Sequence, residues 1–138
     1  MFWNYQGGKI ESIEDFPENT FGFIYEIEHL PTGKKYIGKK QLEFTRKLPP
    51  LKGQKRWRKV TKESDWLLYT GSHDFLKNIR KEGRFEELHR EILEICPTKK
   101  LLTYNEIKYQ MMFEVLESEQ FLNTNILGKF YSSDFIVG

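Results

Sequence analysis

A pair of strand-like runs around a short turn, in the stretch FGFIYEIEHLPTGKKYIGKK at residues 21–40, restricts the possible folds more than any other feature of the chain. In the first run apolar and polar positions alternate, which gives a strand with one strongly apolar face. A proline that fixes φ and a glycine that is free to take a positive φ make HLPTGK a turn. The stretch therefore predicts an antiparallel hairpin with one tyrosine on each arm, Tyr25 and Tyr36.

The register of this hairpin decides whether the two tyrosines share a face of the sheet. If Lys34 pairs with His29, the loop between them has four residues, and Tyr36 then lies opposite Ile27, diagonal to Tyr25. Diagonal neighbours lie roughly 7–8 Å apart, which is close enough for both to border one phosphate group. We therefore expect the two hydroxyl groups on the same face.

The rest of the chain adds helices and a third strand. Ser72 is a candidate N-cap for a helix over residues 73–82 that ends at Gly83. Residues 84–95 (RFEELHREILEI) predict a third strand, although their glutamates also permit a helix. The longest helical pattern covers residues 98–118, with a threonine as candidate cap.

One carboxylate on the long helical pattern stands out. At 100° per residue, six side chains form an apolar stripe, and Glu106 falls at its edge. The stripe consists of Leu101, Leu102, Tyr109, Met112, Phe113 and Leu116. A carboxylate beside a buried face is costly unless it is paired, hydrated or bound to a metal. Glu106 is thus either a side chain whose head reaches water or a metal ligand at the mouth of a cleft.

The charge of the chain is divided unevenly. Residues 34–62 hold twelve Lys or Arg and a single acid, whereas the rest holds ten basic and nineteen acidic residues. Such a segment is either a solvated flexible loop or a surface for a polyanion, held through phosphate neutralisation. Trp57, embedded in KGQKRWRK, favours nucleic acid. We treat residues 41–70, which include Pro49-Pro50, as a long basic insertion with a short helix near KESDWLLY.

Length and composition place the chain in a broad class. We expect one domain over residues 1–138, since the length is too small for two cores. No apolar run approaches the roughly 20 residues of a membrane span, so we expect no membrane association. The single cysteine, Cys96, cannot form an internal disulfide, and its apolar surroundings favour a structural thiol. These features favour a cytoplasmic protein.

Several motifs in order resemble one family. FIY at residues 23–25 and YIG at 36–38 resemble the paired motif of the GIY-YIG nucleases, with Phe23 in the first glycine position. Residues 71–95 resemble the family's helix and third strand, and NEIKYQ at 105–110 resembles its metal-binding helix. FLNTNI at 121–126 resembles the closing segment, which carries an asparagine. The likeness spans residues 21 to about 127.

The resemblance implies an α+β fold with a three-stranded antiparallel sheet flanked by helices. It also implies a metal-dependent endonuclease that hydrolyses phosphodiester bonds in DNA. Tyr25 is then the general base, Tyr36 positions water or phosphate, and Glu106 holds one Mg²⁺ or Mn²⁺. A phenol has a pKa of about 10 and needs positive charge to act as a base near neutrality. Lys39, Lys40 and the metal would supply that charge.

The family's arginine, asparagine and phosphate contacts have more than one candidate position each. Arg46 lies ten residues after Tyr36, as in several relatives, but Pro50 takes the place of a family histidine and would stop a helix. We favour Arg46 as the catalytic cation, with Lys40, Arg56 and Arg58 as alternatives. Asn123 follows Phe-Leu and is favoured over Asn125 as the family asparagine, although a turn residue that bonds its own backbone is the alternative. The predicted DNA contacts are Lys39, Lys40, Lys55, Arg56, Arg58, Lys59 and His73.

Two functions of different classes follow. The first is a catalytic endonuclease acting on DNA, double-stranded in the simplest case. The alternative is a non-catalytic nucleic-acid-binding domain on the same scaffold. A pure binder has no need of Glu106 beside phosphates, which favours the enzyme. Specificity would come from residues 41–70, from the terminal segments or from a homodimer.

Overall fold

The computed structural model describes residues 1–135 and contains strands, two α-helices and short 3-10 turns in that range. The strands are β1 (Trp3–Tyr5), β2 (Gly8–Ile10), β3 (Gly22–His29), β4 (Lys34–Gln41), β5 (Glu43–Leu48), β6 (Arg58–Glu63), β7 (Leu88–Cys96), β8 (Asn125–Ile126) and β9 (Phe130–Tyr131). The helices are α1 (Asp74–Lys81) and α2 (Lys99–Met112). No helix within residues 1–135 is long and apolar enough to cross a membrane.

The main sheet has five strands rather than the expected three, in the order β2-β1-β7-β3-β4. The expected antiparallel set β4-β3-β7 forms one side of it. Two N-terminal strands extend the sheet, and β1 runs parallel to β7, so the sheet is mixed. A strand of three residues is too short to show a periodic pattern in the sequence. β1 is held by tertiary contacts, for example the hydrogen bond that Asn4 Nδ2 donates to the Arg90 carbonyl at 3.1 Å.

The β3–β4 hairpin has the predicted register. His29 pairs with Lys34 and Ile27 pairs with Tyr36, which leaves a four-residue loop. Gly33 in that loop has φ +71°, a conformation that glycine adopts at little cost. The interpretation of residues 84–95 as a strand is also confirmed, since β7 covers Leu88–Cys96 after a 3-10 turn.

Side-chain alternation gives β3 two buried faces. One face packs against β1, α1 and the 3-10 turn Trp66–Leu68. Its central side chains are Trp3, Phe23, Tyr25, Ile27, Trp66 and Leu76. The other face packs against α2 and the segment after it, through Ile24, Ile37, Cys96, Leu102, Val115 and Ile126. Strand β4 is an edge strand of the sheet, and it contributes to both layers, with Tyr36 on the first face and Ile37 on the second.

The helix boundaries differ from the predictions in two places. His73, not Ser72, caps α1, and its Nδ1 accepts a hydrogen bond from the Phe75 amide at 3.1 Å. Thr98 caps α2 as predicted, but α2 ends at Met112, and Glu114 takes a positive φ just beyond it.

The predicted apolar stripe is half correct, since Leu102 and Leu116 are buried and Tyr109 packs against the same core cluster. Leu101, Met112 and Phe113 are exposed, while Leu102, Asn105 and Gln110 are buried. The two amides can face the core because they bind the Cys96 sulfur and the Ile37 carbonyl. A prediction that counts only apolar side chains leaves such amides out of the buried face, although buried polar groups are common when they are hydrogen-bonded.

The insertion at 41–70 is ordered differently from the expected excursion. Strands β5 and β6 form a separate two-stranded hairpin, followed by the 3-10 turn Trp66–Leu68 near the predicted short helix. We call residues 43–63 the basic ribbon. The two strands of the basic ribbon could not be predicted from the sequence, because charged side chains occupy both faces and the usual alternation of apolar residues is lacking.

Candidate active site

The two motif tyrosines stack on one face of the sheet. Their ring centroids lie 6.3 Å apart with an interplanar angle of 29°. Tyr25 is 1% exposed and is enclosed by Trp3, Phe23 and Tyr69. The hairpin register thus brings both rings together, as the sequence predicts.

Gly38 lets the Tyr25 side chain cross the edge strand. Gly38 pairs with Tyr25, and a Cβ atom at position 38 would lie 2.5 Å from Tyr25 Oη and 2.8 Å from its Cζ. It would also lie 3.1 Å from Cε1 of Tyr36. Only glycine leaves room for the hydroxyl there, which gives the third residue of the YIG motif a steric role.

A third tyrosine and a serine join the motif tyrosines. Tyr36 Oη and Ser72 Oγ are 2.7 Å apart, and the Tyr69 ring meets the Tyr25 ring edge to face at a centroid distance of 5.9 Å. Burial raises the pKa of Tyr25 well above its usual value, and the neighbouring tyrosines raise it further. Burial also raises the pKa of Tyr36. In the protein alone, both groups are therefore held as neutral phenols.

Glu106 faces the same region from α2. Burial raises the pKa of its carboxyl, and the Lys39 ammonium and backbone amide partly oppose that effect. Lys39 Nζ donates to Thr103 Oγ1 at 3.2 Å, one turn of α2 before the carboxylate. Glu106 is thus a half-buried acid. Half-burial is compatible with both alternatives that the sequence allowed for its carboxylate, hydration by water and binding to a metal ion.

Asn123 closes the edge of β4. Its Oδ1 accepts from the Ile37 amide at 3.1 Å, and its Nδ2 donates to the Ile37 carbonyl at 2.8 Å. The side chain therefore replaces a neighbouring strand, and residues 120–122 continue this pairing along Lys35. Asn123 is 5% exposed and bonds the strand, not its own turn. Asn125 instead accepts from the Gly128 amide in a turn.

A cavity of about 510 Å³ lies where these elements meet. Its walls include Tyr36, Ser72, His73, Glu106 and Asn123. Sequence positions from 36 to 123 thus converge on one space that is lined by hydroxyl, amide, imidazole and carboxylate groups. A phosphate group and a hydrated cation would fit in it by size.

The predicted cations are distributed over two places. Lys40 Nζ lies 4.0 Å from the centre of the Tyr69 ring and 2.6 Å from Asp65 Oδ1, so it stands beside the tyrosines. Arg46 lies on β5 opposite Val60, on the basic ribbon and outside the cavity wall. Lys55 and Arg56 lie in the ribbon's tip loop, and Arg58 and Lys59 lie on β6.

Comparison with protein families identifies the fold. The family model described as "Putative endonuclease segE, GIY-YIG domain" matches residues 3–126. The chain belongs to this GIY-YIG family. The match also covers β1 and β2, which lie before the stretch that carried the sequence resemblance. Searches of curated proteins and of solved structures gave no significant match.

Two side chains that support the GIY-YIG tyrosines, Tyr69 and Arg90, were not predicted from the sequence. Tyr69 contacts Tyr25, as described above. Arg90 is buried and donates to the carbonyl oxygens of Leu67 and Tyr69 at 2.8 and 2.9 Å and to that of Phe2 at 2.9 Å. It also stacks on Trp3, and burial lowers its pKa to about 10. The signal was available, because alternation in β7 places Arg90 on the face of Ile92.

The cavity wall offers oxygen atoms of the kind that a divalent cation such as Mg²⁺ prefers. Within residues 1–135, no group of three or more His, Cys, Asp or Glu side chains is arranged to hold a metal ion. Mg²⁺ commonly binds through one or two carboxylates and keeps several waters. Glu106 and Asp74 are the carboxylates that line the cavity, and Ser72 and Thr124 offer neutral oxygens. These oxygen atoms would suit Mg²⁺ or Mn²⁺, and besides them the wall carries one imidazole, that of His73, and no thiol.

Proposed function

We propose that this protein is a metal-dependent endonuclease that hydrolyses phosphodiester bonds in double-stranded DNA. The observation that carries the proposal is the convergence of Tyr36, Glu106 and Asn123 on one cavity, with Tyr25 stacked on Tyr36 beneath the cavity wall. Membership of a family of endonuclease domains supports the same reaction class.

The roles follow from where each group lies. Glu106 would hold one Mg²⁺ or Mn²⁺, which supplies positive charge to a nonbridging phosphate oxygen. Tyr36 lines the cavity and would orient the attacking water or the phosphate. Tyr25 would accept the water's proton, and Asn123 fixes the edge strand that carries Tyr36.

The base role requires that the pKa of Tyr25 fall when substrate and cation bind. Burial holds that pKa high in the protein alone, so the phenolate forms only beside positive charge. Lys40, which stacks on Tyr69 and is paired with Asp65, is a side-chain cation that the chain itself places near the tyrosines. We propose Lys40 rather than Arg46 for this role, and we assign Arg46 to DNA binding.

Plasmid cleavage tests the proposal. Purified protein should nick or cut supercoiled plasmid with Mg²⁺ or Mn²⁺, and a chelator should stop it. Glu106→Gln should abolish cleavage, and Tyr25→Phe should lower the rate by about 10²–10⁴-fold at every metal concentration. Glu18→Gln and Tyr104→Phe are matched controls at exposed positions and should cut normally.

Two results would contradict these assignments. Failure to cut any DNA with any divalent metal would favour the alternative, a nucleic-acid-binding domain without turnover. Normal cutting by Tyr25→Phe would remove the base assignment while leaving the metal site intact.

A further inference from the structure

The basic ribbon is a two-stranded sheet with solvent on both sides. β5 and β6 pair from Glu43 with Glu63 to Leu48 with Arg58. Every ribbon strand residue except Leu48 is exposed, and Trp57 in the tip loop is 58% exposed. An isolated two-stranded hairpin is marginally stable in water. Exposed apolar side chains on such an element indicate that a partner covers it.

The two faces of the ribbon differ in charge. One face, which we call the arginine face, carries three cations and three apolar side chains: Phe44, Arg46, Leu48, Arg58, Val60 and Lys62. The opposite face carries two acids, two lysines and two threonines, so its net charge is zero: Glu43, Thr45, Lys47, Lys59, Thr61 and Glu63. A polyanion would therefore prefer the arginine face.

The base of the ribbon is fixed to the active-site strand. Leu42, between β4 and β5, is buried, and its amide donates to the Phe21 carbonyl at 3.0 Å. The Ser64 amide donates to the Leu42 carbonyl at 2.7 Å, and Ser64 Oγ donates to the Gln41 carbonyl at 2.6 Å. Because β4 also carries Tyr36 and Gly38, a duplex held by the ribbon is held at a set distance from the cavity.

We infer that the basic ribbon lies in the major groove of duplex DNA with its arginine face toward the base edges. The inference rests on the proposed function, since it names how the same protein holds its substrate. Arg46 and Arg58 would contact guanine edges or phosphates, and Lys62 would contact phosphate. Phe44 and Val60 would contact thymine methyl groups.

The dimensions of the ribbon select the groove. Two paired strands have a backbone separation of about 4.8 Å, to which side chains add on both edges. The major groove of B-DNA is about 12 Å wide and admits a two-stranded ribbon, whereas the minor groove is about 6 Å wide. The mix of arginine and apolar side chains also matches the major groove, where guanine acceptors and thymine methyl groups are displayed.

The test compares two double variants that remove the same charge from opposite faces. Arg58→Gln with Lys62→Gln alters the arginine face, and Lys47→Gln with Lys59→Gln alters the other. Binding to a fluorescent duplex of mixed sequence is measured in chelator over a range of salt, so that cleavage does not enter. Circular dichroism of each variant checks that the ribbon and sheet remain folded.

The arginine-face pair should weaken binding by about 10–100-fold and reduce the salt slope by roughly 1–2 units, at about 0.9 for each phosphate that is no longer neutralised. The other pair should change both quantities much less, because this arrangement turns Lys59, although the sequence predicts it as a DNA contact, away from the duplex together with Lys47. Methyl green, which occupies the major groove, should displace the wild-type protein, and netropsin, which occupies the minor groove, should not.

The outcomes separate this inference from the endonuclease proposal. If the two double variants bind alike, or if netropsin competes and methyl green does not, the inference is overturned even when plasmid is cut. If plasmid is never cut but the arginine-face pair loses binding selectively, the ribbon inference stands and the endonuclease proposal fails.

Discussion

Gly38→Ala tests whether the YIG glycine exists to admit the Tyr25 hydroxyl. The added Cβ would lie 2.5 Å from Tyr25 Oη and 2.8 Å from Cζ, which is closer than such atoms approach. Tyr25 has no space to retreat, because Trp3, Phe23 and Tyr69 surround its ring at centroid distances of 5.4, 6.3 and 5.9 Å. The ring or strand β4 must therefore shift.

The expected loss of stability in Gly38→Ala can be estimated from the cost of overpacking a core. Inserting a methyl group into a filled core costs about 1–3 kcal/mol. For a domain of this length, about 1 kcal/mol lowers the melting temperature by roughly 3–5 °C, so we expect a fall of about 3–15 °C. A displacement of about 1 Å at a reacting group can cost 10²-fold in rate, and we expect a loss of that order in plasmid cleavage.

Two further variants make the result specific to the clash. Gly8→Ala also places alanine in a strand, but its Cβ meets only the Tyr5 carbonyl at 3.5 Å, so stability should change by less than about 1 kcal/mol. Gly38→Ala with Tyr25→Phe removes the Oη contact and should melt higher than the two separate effects predict, without recovering activity. If Gly38→Ala melts and cuts like the wild type, the steric explanation of the motif is wrong.

Three other outcomes follow from the site. Burial raises the pKa of Glu106, so the folded state holds its proton more tightly than the unfolded state does, and the ionised carboxylate destabilises the folded protein at pH 8. Glu106→Gln should therefore raise the melting temperature of metal-free protein at pH 8. This gain should vanish below about pH 4, where the carboxyl is protonated in both states. A melting temperature that falls at pH 8 would contradict that reasoning. Asn123→Ala leaves the buried Ile37 amide without its acceptor and should cost about 1–3 kcal/mol in urea unfolding, whereas an unchanged midpoint would remove the strand-closing role. Lys40→Gln should lower the rate at saturating DNA and Arg46→Gln should mainly weaken DNA binding, and kinetics showing the reverse would restore Arg46 as the catalytic cation.

Local patterns in the sequence were sufficient where they determine pairing. Alternation and a Pro-Thr-Gly turn predict the β3–β4 hairpin and its register, because a slip of one residue would turn Tyr25 out of the core. The same register brings Tyr25 and Tyr36 together. Glu106 could be singled out because a carboxylate beside a buried helix face requires a reason.

Other parts of the site depend on contacts that no local pattern contains. β1 has three residues and is held by contacts with β7, in which Arg90 donates to the Phe2 carbonyl and stacks on Trp3. Asn105 and Gln110 are buried because their partners come from β7 and β4. Sequence periodicity assigns such amides to solvent, so part of the buried face of α2 was predicted incorrectly.

The hairpin, its register, the order of the motifs and the uneven charge could all be read along the chain, since each depends on residues that are close together in it. The positions of the cations came from the folded protein. In the folded protein Lys40 lies against Tyr69, whereas Arg46 lies outside the cavity wall, on the basic ribbon, whose two faces differ in charge. The reason is physical: a side chain's environment depends on which distant backbone packs beside it, and spacing along the chain does not specify that.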